Sequence, residues 1–291
     1  MLDFIVNPIA GGKHGKKTRK TVETIQSVLG DKKIEYAIHL THYKGHAKEL
    51  TTTLIDRGAT DIIVVGGDGT LHEVVNGFKN FENVNLGLIP CGTGNDFAYA
   101  TKIPLDPELA LNVLLENQPK FTDYMQMPGV RGINVIGTGI DVDVLKRYES
   151  LKKKTKLGYT KCLIKTLFDF EFTDFSAEVD GEISEHRSFI AAVANGCVFG
   201  GGLKICPNAS PADKMLNFVA VGEIRGLKII NAFLKLKAGK IFKLKKATMI
   251  PCKKVKVTPQ NPCTINVDGE LYQDVPFEIE IVSDTLKMYR P

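Results

Sequence analysis

The fold of this 291-residue chain is decided by one stretch, Val64-Val65-Gly66-Gly67-Asp68-Gly69-Thr70-Leu71-His72-Glu73. A short apolar, β-branched run ends here in three glycines and one carboxylate, which is how a buried strand delivers a loop to the edge of a sheet. The glycines allow a sharp turn and let a phosphate approach the backbone closely. Thr70 and Glu73 have the spacing of a capping box, so a helix with an anion-binding N-terminus is expected next. A plain tight turn with Asp68 as an exposed polar residue is the alternative.

Strands and helices alternate on both sides of that stretch. The apolar and amphipathic runs that predict them are Phe4–Val6, Thr18–Leu29, Ile34–Leu40, Gly45–Asp56, Asp61–Val65 and Leu86–Ile89. Elements of this length in this order predict a doubly wound α/β domain with a parallel sheet. A second glycine turn, Pro90–Phe97, follows the run that ends at Ile89. Glycine turns after successive parallel strands meet at the carboxyl edge of a sheet, where ligands of open α/β sheets bind.

The pattern changes after Phe121. A strand is expected over Arg131–Gly139 and a basic helix over about Asp141–Lys165. Short alternating runs then follow from Phe175 to Val282, and strands at this density predict an all-β antiparallel sandwich. We therefore expect an α/β domain at residues 1–124 and a β-sandwich domain at residues 125–284.

The composition excludes several classes of protein. With 43% hydrophobic and 24% charged residues, the chain is expected to be globular and to bury proper cores. The first residues lack the parts of a secretory signal, and no window reaches the ~20 apolar residues of a membrane span. We therefore expect a soluble intracellular protein. Six cysteines without a Cys-x-x-Cys pair indicate neither a zinc site nor a disulfide framework.

Positive charge is concentrated in two windows. Lys146–Lys165 contains eight Lys or Arg residues and one acidic residue, and Arg225–Lys256 contains eleven and no acidic residue. Because the whole chain has a net charge of only +5, the remainder carries −13. This segregation indicates an anionic partner, either nucleic acid or an acidic membrane leaflet, although solvated helix faces would also explain it.

Three motifs together resemble the diacylglycerol kinase catalytic domain family, in particular its stand-alone bacterial lipid kinases. They are Asn7–Gly12, Gly66–Glu73 and Pro90–Phe97, and the resemblance continues through Asn134–Asp141, Pro207–Asp213 and Val267–Glu270. It implies an NAD kinase-like first domain that binds the nucleotide, a second domain that binds the lipid, and a C-terminal segment at about 285–291 that returns to the first. It also implies transfer of the γ-phosphoryl group of ATP to a lipid hydroxyl, with diacylglycerol and its product phosphatidic acid as the first expectation.

The resemblance also assigns the site residues. The ATP site would be lined by Asn7, Pro8, Ile9, Ala10, Gly11, Thr41, Gly66, Gly67, Asp68, Gly69, Thr70, Leu71, His72, Glu73 and Thr93. Asp68 and Asp96 would organise the nucleotide and a catalytic Mg²⁺, and Glu270 would be the general base.

Two positions depart from the family pattern. The family's second, structural metal site would use Asp213 and the backbone oxygen of Met215, but Ala212 and Lys214 stand where the family usually has an acid and a glycine. Losing an oxygen ligand and gaining a cation should weaken this site. Tyr99 stands where many members have an arginine.

The tetrapeptide Val-Asp-Gly-Glu occurs twice, at Val179–Glu182 and at Val267–Glu270. Asp-Gly between strand-like runs is a common signal for a hairpin, so both copies could be plain turns. By resemblance, only the second copy occupies the catalytic position, and the first is interpreted as an ordinary hairpin.

The segment Gly226–Gly239 is the candidate membrane contact, because Leu227, Ile230, Phe233 and Leu234 fall on one helical face among lysines. A helix packed on the core is the alternative. The expected partners are therefore ATP, a lipid alcohol and the anionic inner face of the cell membrane, with a homodimer left open. Nucleic acid is disfavoured, since few aromatic residues interleave the basic runs. A soluble-metabolite kinase of the NAD kinase type and a non-catalytic anionic-lipid-binding protein are the competing hypotheses.

Overall fold

The computed structural model describes residues 1–12, 15–151, 155–170, 172–226, 228–261 and 263–291. Contacts divide the chain into two compact units. The first contains Met1–Asp123 and Ser283–Pro291, and the second contains Tyr124–Val282. No helix among the described residues combines the length and the apolar character that crossing a bilayer requires.

The first unit is built on a six-stranded sheet. Its strands are β1 (Leu2–Val6), β2 (Tyr36–Leu40), β3 (Asp61–Gly66), β4 (Asn85–Pro90), β5 (Lys120–Phe121) and the last strand of the described chain, β17 (Lys287–Met288). They lie in the order β2-β1-β3-β4-β17-β5, and every neighbouring pair is parallel except β17 with β5. Ile62–Val65 of β3 are fully buried, as expected for a parallel strand covered on both faces.

The helices of the first unit are α1 (Lys16–Asp31), α2 (His46–Asp56), α3 (Asp68–Val75), α4 (Asp96–Ala100) and α5 (Pro107–Glu116). The chain runs from β1 through α1 to β2, which lies on one side of β1, and then through α2 to β3, which lies on the other side of β1. Because such crossovers are right-handed, α1 and α2 cover opposite faces of the sheet. Accordingly α1 packs against α5, and α2 packs against α3. The predicted doubly wound α/β architecture is confirmed.

The C-terminal strand β17 is held in the first sheet by side chains as well as by its ladder. Tyr289 Oη donates to Asp61 Oδ1 at 2.6 Å, and the Tyr289 N–H donates to the Leu86 carbonyl at 2.9 Å. Burial and the adjacent Asp61 carboxylate raise the pKa of Tyr289 well above its usual range. Arg290 also donates to the Thr122 hydroxyl. These contacts make the last residues part of the first unit.

The second unit contains eleven strands among the described residues, and all of their pairings are antiparallel. They are β6 (Tyr124–Met127), β7 (Val130–Gly132), β8 (Val135–Gly139), β9 (Thr173–Val179), β10 (Glu182–Ala194), β11 (Leu216–Gly222), β12 (Ala247–Cys252), β13 (Lys254–Pro259), β14 (Ile265–Val267), β15 (Glu270–Tyr272) and β16 (Glu278–Val282). The first half of β10 pairs with β9, and its second half pairs with β8 and β11. The β10–β11 pairing has a register shift between Ser188 and Ile190. The predicted antiparallel sandwich is confirmed.

Three helices cover one face of this sheet, namely α6 (Ile140–Glu149), α7 (Lys156–Asp169) and α8 (Lys228–Lys237), with a 3₁₀ turn at Ile241–Lys243. Alternate residues of β10 therefore join different cores. Ala191 and Val193 pack inside the sandwich, whereas Ile190 and Ala192 pack towards the helices.

The single basic helix predicted over Asp141–Lys165 is wrong, because two helices, α6 and α7, occupy this range. Thr155 is the N-cap of α7, and its hydroxyl accepts from the Gly158 N–H at 3.0 Å, so a new helix begins there. Lys152–Lys154, which contribute to the first basic window, lie outside the described residues.

Candidate active site

The order of the first sheet places a topological switch point between β1 and β3. Asn7 follows β1, and the glycine run follows β3. The Asn7 side chain joins the two, since its Nδ2 donates to Thr70 Oγ1 at 3.1 Å. The Asn7 N–H also donates to the Val65 carbonyl at 3.0 Å. Ligands of open α/β sheets bind beyond the carboxyl ends of the strands at such a point, so the first two motifs lie where a ligand is expected to bind.

The second and third motifs touch through their glycines. A Cβ atom on Gly67 would lie 2.8 Å from Cα of Gly92, closer than side-chain atoms normally approach. The two turns can therefore pack backbone against backbone only because both residues lack a side chain. This contact brings the ends of β3 and β4 together at one edge of the sheet.

Two carboxylates meet beside Gly94. Asp68 begins α3 and Asp96 begins α4. A Cβ atom on Gly94 would lie 2.9 Å from Asp68 Oδ2 and 3.4 Å from Asp96 Oδ2, so both acids border the same glycine. Asp68 Oδ1 accepts from the Phe97 N–H at 3.1 Å. This hydrogen bond holds the Asp68 side chain against the Pro90–Phe97 motif. The structure thus brings together two acids that are 28 residues apart in sequence.

Carboxylate oxygens are the donors that Mg²⁺ prefers, so Asp68 and Asp96 suit the ion that the resemblance implies. Because Mg²⁺ keeps several waters and shares phosphate oxygens, two protein carboxylates are sufficient for such a site. Within the described part of the chain, no group of three or more His, Cys, Asp or Glu residues could hold a metal alone.

The sequence assigned no role to two further residues at the carboxyl edge of the first sheet, Lys17 and Asn95. Lys17 Nζ donates to the Pro90 carbonyl at 3.2 Å, which places a cation at the end of β4. Asn95 has a left-handed backbone conformation with φ of 57° and donates from Nδ2 to the Gly92 carbonyl at 2.9 Å. The Asn95 amide oxygen is buried without a hydrogen-bond partner. The signal for Lys17 was its position in the basic run after the first glycine turn.

The residues predicted to line the ATP site differ in exposure. Ile9 and Thr93 are exposed, and Asn7 is partly exposed. Leu71 and His72 are buried, and the Thr41 N–H donates to the Val6 carbonyl at 2.9 Å. Leu71 and His72 therefore pack in the core of the first unit, and the role of the glycine run in binding ATP stays a prediction.

The predicted Thr70–Glu73 capping box is wrong. The helix already begins at Asp68 with Gly67 as its N-cap, so Thr70 lies inside the first turn. The Glu73 carboxylate instead accepts from the Gly45 N–H at 2.8 Å and the Ala47 N–H at 3.1 Å, at the N-terminus of α2. Glu73 stabilises a neighbouring helix because its carboxylate satisfies two of the N–H groups that a helix start leaves unpaired.

In the second unit, Glu270 begins β15 directly after the Asp268-Gly269 turn and is half-buried. The Asp268 carboxylate holds the turn against the start of β8. It accepts from the backbone N–H groups of Ile133 at 2.7 Å, Asn134 at 2.9 Å and Val135 at 3.1 Å. Three charge-assisted hydrogen bonds make this a firmly positioned turn.

A buried acid that the sequence did not assign lies beside this turn. Asn266 Oδ1 accepts from the Gly269 N–H at 2.8 Å, and Asn266 Nδ2 donates to Asp141 Oδ2 at 3.1 Å. Burial raises the pKa of Asp141 to about 6, although the hydrogen bond from Asn266 and nearby backbone N–H groups oppose the rise. Asp141 therefore belongs to the surroundings of Glu270.

The loop predicted to hold a structural metal is exposed at Asp213. Its Oδ1 atom accepts from the Met215 N–H at 3.1 Å, across Lys214, which has a left-handed φ of 62°. A site for Mg²⁺ or Ca²⁺ needs about six oxygen ligands, and Ala212 and Lys214 supply no side-chain oxygen here. The residues present do not complete such a site, so metal binding by Asp213 and Met215 stays a prediction.

Two family models together match most of the chain. The diacylglycerol kinase catalytic domain matches residues 2–127, and the YegS C-terminal NAD kinase β-sandwich-like domain matches residues 134–290. The chain is 30% identical over 298 residues to YtlR of Bacillus subtilis, a candidate lipid kinase, with 95% of both chains covered. It is 29% identical over 294 residues to a YegS-like candidate lipid kinase of Xanthomonas campestris pv. campestris, with 96% of this chain and 94% of the relative covered.

Solved structures agree in fold. A diacylglycerol kinase candidate from Bacillus anthracis superposes with a TM-score of 0.82 at 24% identity, covering 100% of this chain and 97% of that one. An NAD kinase from Archaeoglobus fulgidus in complex with ATP superposes with a TM-score of 0.54 at 16% identity, covering 100% and 94%. The predicted family and the kinase class are confirmed. The chain belongs to the family in which a diacylglycerol kinase catalytic domain is followed by a YegS-type C-terminal β-sandwich domain.

Proposed function

We propose that this protein is an ATP-dependent lipid kinase that transfers the γ-phosphoryl group to a lipid hydroxyl, with diacylglycerol as the first candidate acceptor. The observation that carries the proposal is the pair of carboxylates, Asp68 and Asp96, that border Gly94 at the carboxyl edge of a doubly wound sheet. Phosphoryl transfer needs a metal-neutralised triphosphate and an anion cradle. In the proposal the two carboxylates would hold the metal, and the backbone N–H groups of the glycine run would cradle the phosphates.

In this proposal each residue of the edge has a separate role. The backbone of the glycine run takes the phosphates, and Lys17 adds a positive charge at the end of β4. Asp68 and Asp96 would hold Mg²⁺, which supplies charge neutralisation on the transferred group. Asn7 positions Thr70 through its 3.1 Å hydrogen bond and keeps the first and second motifs in register.

Glu270 is proposed as the group that accepts the proton of the lipid hydroxyl. Its turn is fixed by Asp268, so the carboxylate is presented from a rigid hairpin. A positioned carboxylate orients the hydroxyl for attack and takes its proton as the bond to phosphorus forms. In a loose phosphoryl-transfer transition state, orientation contributes more than early deprotonation.

A lipid substrate also requires contact with a membrane, and α8 is the proposed contact. Ile230 and Leu234 lie one turn apart on its outer side and are exposed, whereas Phe233 faces a cavity of the second unit. The sequence grouped Phe233 with the outer residues, and Leu227 lies outside the described residues. The basic window around α8 complements an anionic bilayer, because each lysine near such a surface contributes about 1 kcal/mol. We propose peripheral association with the inner face of the cell membrane.

A radiolabelled ATP assay with Mg²⁺ tests this function. The acceptors are diacylglycerol, monoacylglycerol, phosphatidylglycerol, ceramide and a polyprenol in mixed micelles, with NAD as the soluble acceptor. We expect the label in at least one product that extracts into organic solvent, and none without Mg²⁺. Transfer to NAD alone would establish the soluble-metabolite kinase instead, and no transfer to any acceptor would contradict kinase activity.

A further inference from the structure

The two sheets have five edge strands within the described part of the chain, namely β2, β5, β7, β12 and β15. An edge strand presents unpaired backbone N–H and C=O groups, and proteins usually protect it by making it short or by placing proline or lysine on it. β5, β7 and β15 have only two or three residues, and β12 contains Pro251 and lies between Lys246 and Lys253. By contrast, β2 (Tyr36–Leu40) has five residues and contains neither proline nor lysine.

The backbone of β2 alternates between β1 and the outer side of the sheet. Just before and just after β2, the Glu35 carbonyl accepts from β1 at 3.0 Å and the Thr41 N–H donates to β1 at 2.9 Å. Because alternate residues of a strand face the same neighbour, the odd-numbered residues between these two also face β1. Tyr36, Ile38 and Leu40 therefore direct their N–H and C=O groups outwards, and no other described strand pairs with β2 on that side.

The side chains of these three outward-facing residues are apolar and accessible. Leu40 is 46% exposed, and Tyr36 and Ile38 are half-buried. By contrast, β1 and β3 in the interior of the same sheet are buried at every residue except the first. An uncovered, uncharged and apolar edge strand is suited to pairing with a further strand.

The sequence of β2 is compatible with pairing to a second copy of itself. In an antiparallel arrangement centred on Ile38, this residue lies opposite Ile38 of the second copy, and Tyr36 and Leu40 of each copy lie opposite each other. Each of the three pairs joins outward-facing residues, so each can exchange two backbone hydrogen bonds. The paired side chains are apolar, and no two like charges face each other within the strand.

The other long edge strand, β12, does not have this property. The Lys246 carbonyl accepts from the Gly222 N–H of β11 at 2.8 Å, so every second residue from Lys246 faces β11 and Met249 faces outwards. Pairing of β12 with itself around Met249 would place Lys245 opposite Lys253 of the second copy. Like charges directly opposite each other destabilise a strand pair, so β2 is the edge suited to self-association.

We propose that β2 is a dimerisation surface, on which a second copy of this chain pairs antiparallel with the two-fold axis at Ile38. Such an interface uses the same patch on both copies and closes on itself, so it forms dimers and not filaments. The two six-stranded sheets become one continuous sheet. Because the paired β2 strands run in opposite directions, the two carboxyl edges lie on opposite sides of the joined sheet, and each copy keeps its own candidate active site.

The surface is tested by adding a charge at its centre. In Ile38→Lys two ammonium groups would face each other across the two-fold axis, which opposes pairing. Thr248→Lys is the matched control, because Thr248 is an exposed residue of the edge strand β12. The mass in solution is measured by sedimentation equilibrium over about 1 to 100 μM, which covers weak protein–protein interfaces. Thermal denaturation confirms that both variants fold.

We expect wild type and Thr248→Lys to approach twice the chain mass of 32.0 kDa, and Ile38→Lys to remain at that mass. The dimer should persist at about 0.5 M salt, because no ion pair holds it together. A dimer of folded Ile38→Lys would overturn the assignment of the surface. A wild-type protein that is monomeric over the whole range would overturn self-pairing and leave this edge to an extended segment of another protein.

The register is tested by cross-linking through introduced cysteines. Directly opposite residues of a hydrogen-bonded pair have Cα atoms about 5.5 Å apart, which is within the range of a disulfide. Ile38→Cys should therefore cross-link to its own copy. Leu40→Cys is the control, because the two copies of residue 40 are offset by four positions along the strands, or roughly 14 Å. Five of the six native cysteines are buried, and wild type measures the background from the half-buried Cys263.

Both variants are oxidised by dissolved O₂ with copper phenanthroline and compared on gels with and without a thiol reductant. We expect a reducible covalent dimer of Ile38→Cys, and only the wild-type background for Leu40→Cys. Equal cross-linking of the two variants would overturn the register centred on Ile38. Absence of cross-linking in Ile38→Cys, at a concentration where it sediments as a dimer, would overturn the pairing through β2.

Discussion

The two Val-Asp-Gly-Glu tetrapeptides form the same turn. Asp180 and Gly181 have φ of 49° and 93°, and Asp268 and Gly269 have φ of 53° and 97°. In each copy the flanking Val and Glu are cross-strand partners, in β9–β10 and in β14–β15. Positive φ at both central residues is the geometry of a type I′ hairpin, for which Asp-Gly is well suited. Four identical residues thus give one local structure twice.

The tertiary surroundings of the two turns differ. Asp180 is exposed and accepts from the N–H groups of Lys253 and Lys254, whereas Asp268 is half-buried and accepts from three N–H groups. Glu182 is exposed, whereas Glu270 is half-buried beside the hydrogen bond between Asn266 and Asp141. The comparison shows that local sequence determines the turn, while the neighbouring strands determine which glutamate can have a chemical role.

The largest expected difference between the two copies is catalytic. Glu270→Gln keeps the size of the side chain but cannot accept a proton, so kcat should fall by roughly 10²- to 10⁴-fold, with the KM for ATP nearly unchanged. Glu182→Gln should remain close to wild type. Both variants are assayed with one soluble short-chain diacylglycerol, so that vesicle binding does not enter the comparison. If Glu182→Gln is the inactive variant, or both are equally active, the catalytic base is misplaced.

A second difference is expected in stability. Asp268→Ala removes the acceptor of three backbone N–H groups in a half-buried turn and should lower the free energy of unfolding by roughly 2 to 4 kcal/mol. Asp180→Ala should cost about 1 kcal/mol, because water can replace the carboxylate at an exposed turn. Urea denaturation of both variants measures the difference. Equal losses would show that the second turn is held no more firmly than the first.

Asp141, the buried acid beside the Val267–Glu270 tetrapeptide, should make the free energy of unfolding depend on pH. Because the pKa of Asp141 is raised to about 6 in the fold, against about 3.9 in an unfolded chain, the native state retains the proton between these values. The free energy of unfolding therefore decreases as the pH rises through this window, and Asp143 is the nearby acid that adds to the rise in pKa.

Asp141→Asn removes this dependence. It should be more stable than wild type above pH 6 by about 2 to 3 kcal/mol, with the difference vanishing near pH 4. Denaturation midpoints from pH 4 to pH 8 measure it, with Asp143→Asn as the control. A constant difference across that range would show that Asp141 does not titrate in the native state as described.

The smallest expected difference concerns the glycines. Gly181→Ala and Gly269→Ala place a Cβ on residues with φ of 93° and 97°, and neither Cβ would meet another atom within 4 Å. Each substitution should therefore cost about 1 to 2 kcal/mol through backbone strain alone. Equal shifts in the urea midpoint would confirm that the two turns are locally the same, and a larger loss at Gly269 would reveal strain that the geometry does not show.

The sequence predicted the α/β fold well because its signals are local. The apolar runs of β1 and β3 are buried on both faces, so each could be recognised within a few residues. The break between α6 and α7 was missed because a basic, amphipathic pattern continues across it, and the cap at Thr155 is a single residue. The change of partner strands along β10 was missed because it depends on segments that are distant in sequence.

The parts of the candidate site that lie within a motif could be predicted from the sequence. The parts that are formed by segments distant in sequence could not. Each acid lies inside a glycine-containing motif that is contiguous in sequence, Asp68 in Gly66–Glu73 and Asp96 in Pro90–Phe97, so both could be named. The hydrogen bond between Glu73 and the start of α2 could not be predicted, because the spacing of Thr70 and Glu73 is also that of a capping box. The cavity could not be predicted either, because its walls come from residues spread between Ile140 and Ile241, and no local periodicity encodes an internal space.

The central claim is that the acids beside Gly94 support transfer of phosphate from ATP to a lipid, and one measurement tests it most directly. Label from γ-labelled ATP is followed into a short-chain monoacylglycerol and a short-chain diacylglycerol by wild type and by Asp68→Asn. We expect Mg²⁺-dependent transfer to lipid by wild type and loss of nearly all transfer in Asp68→Asn, with an unchanged melting temperature without nucleotide, because no core is opened. Wild-type rates in a folded Asp68→Asn protein would contradict the assignment of the site.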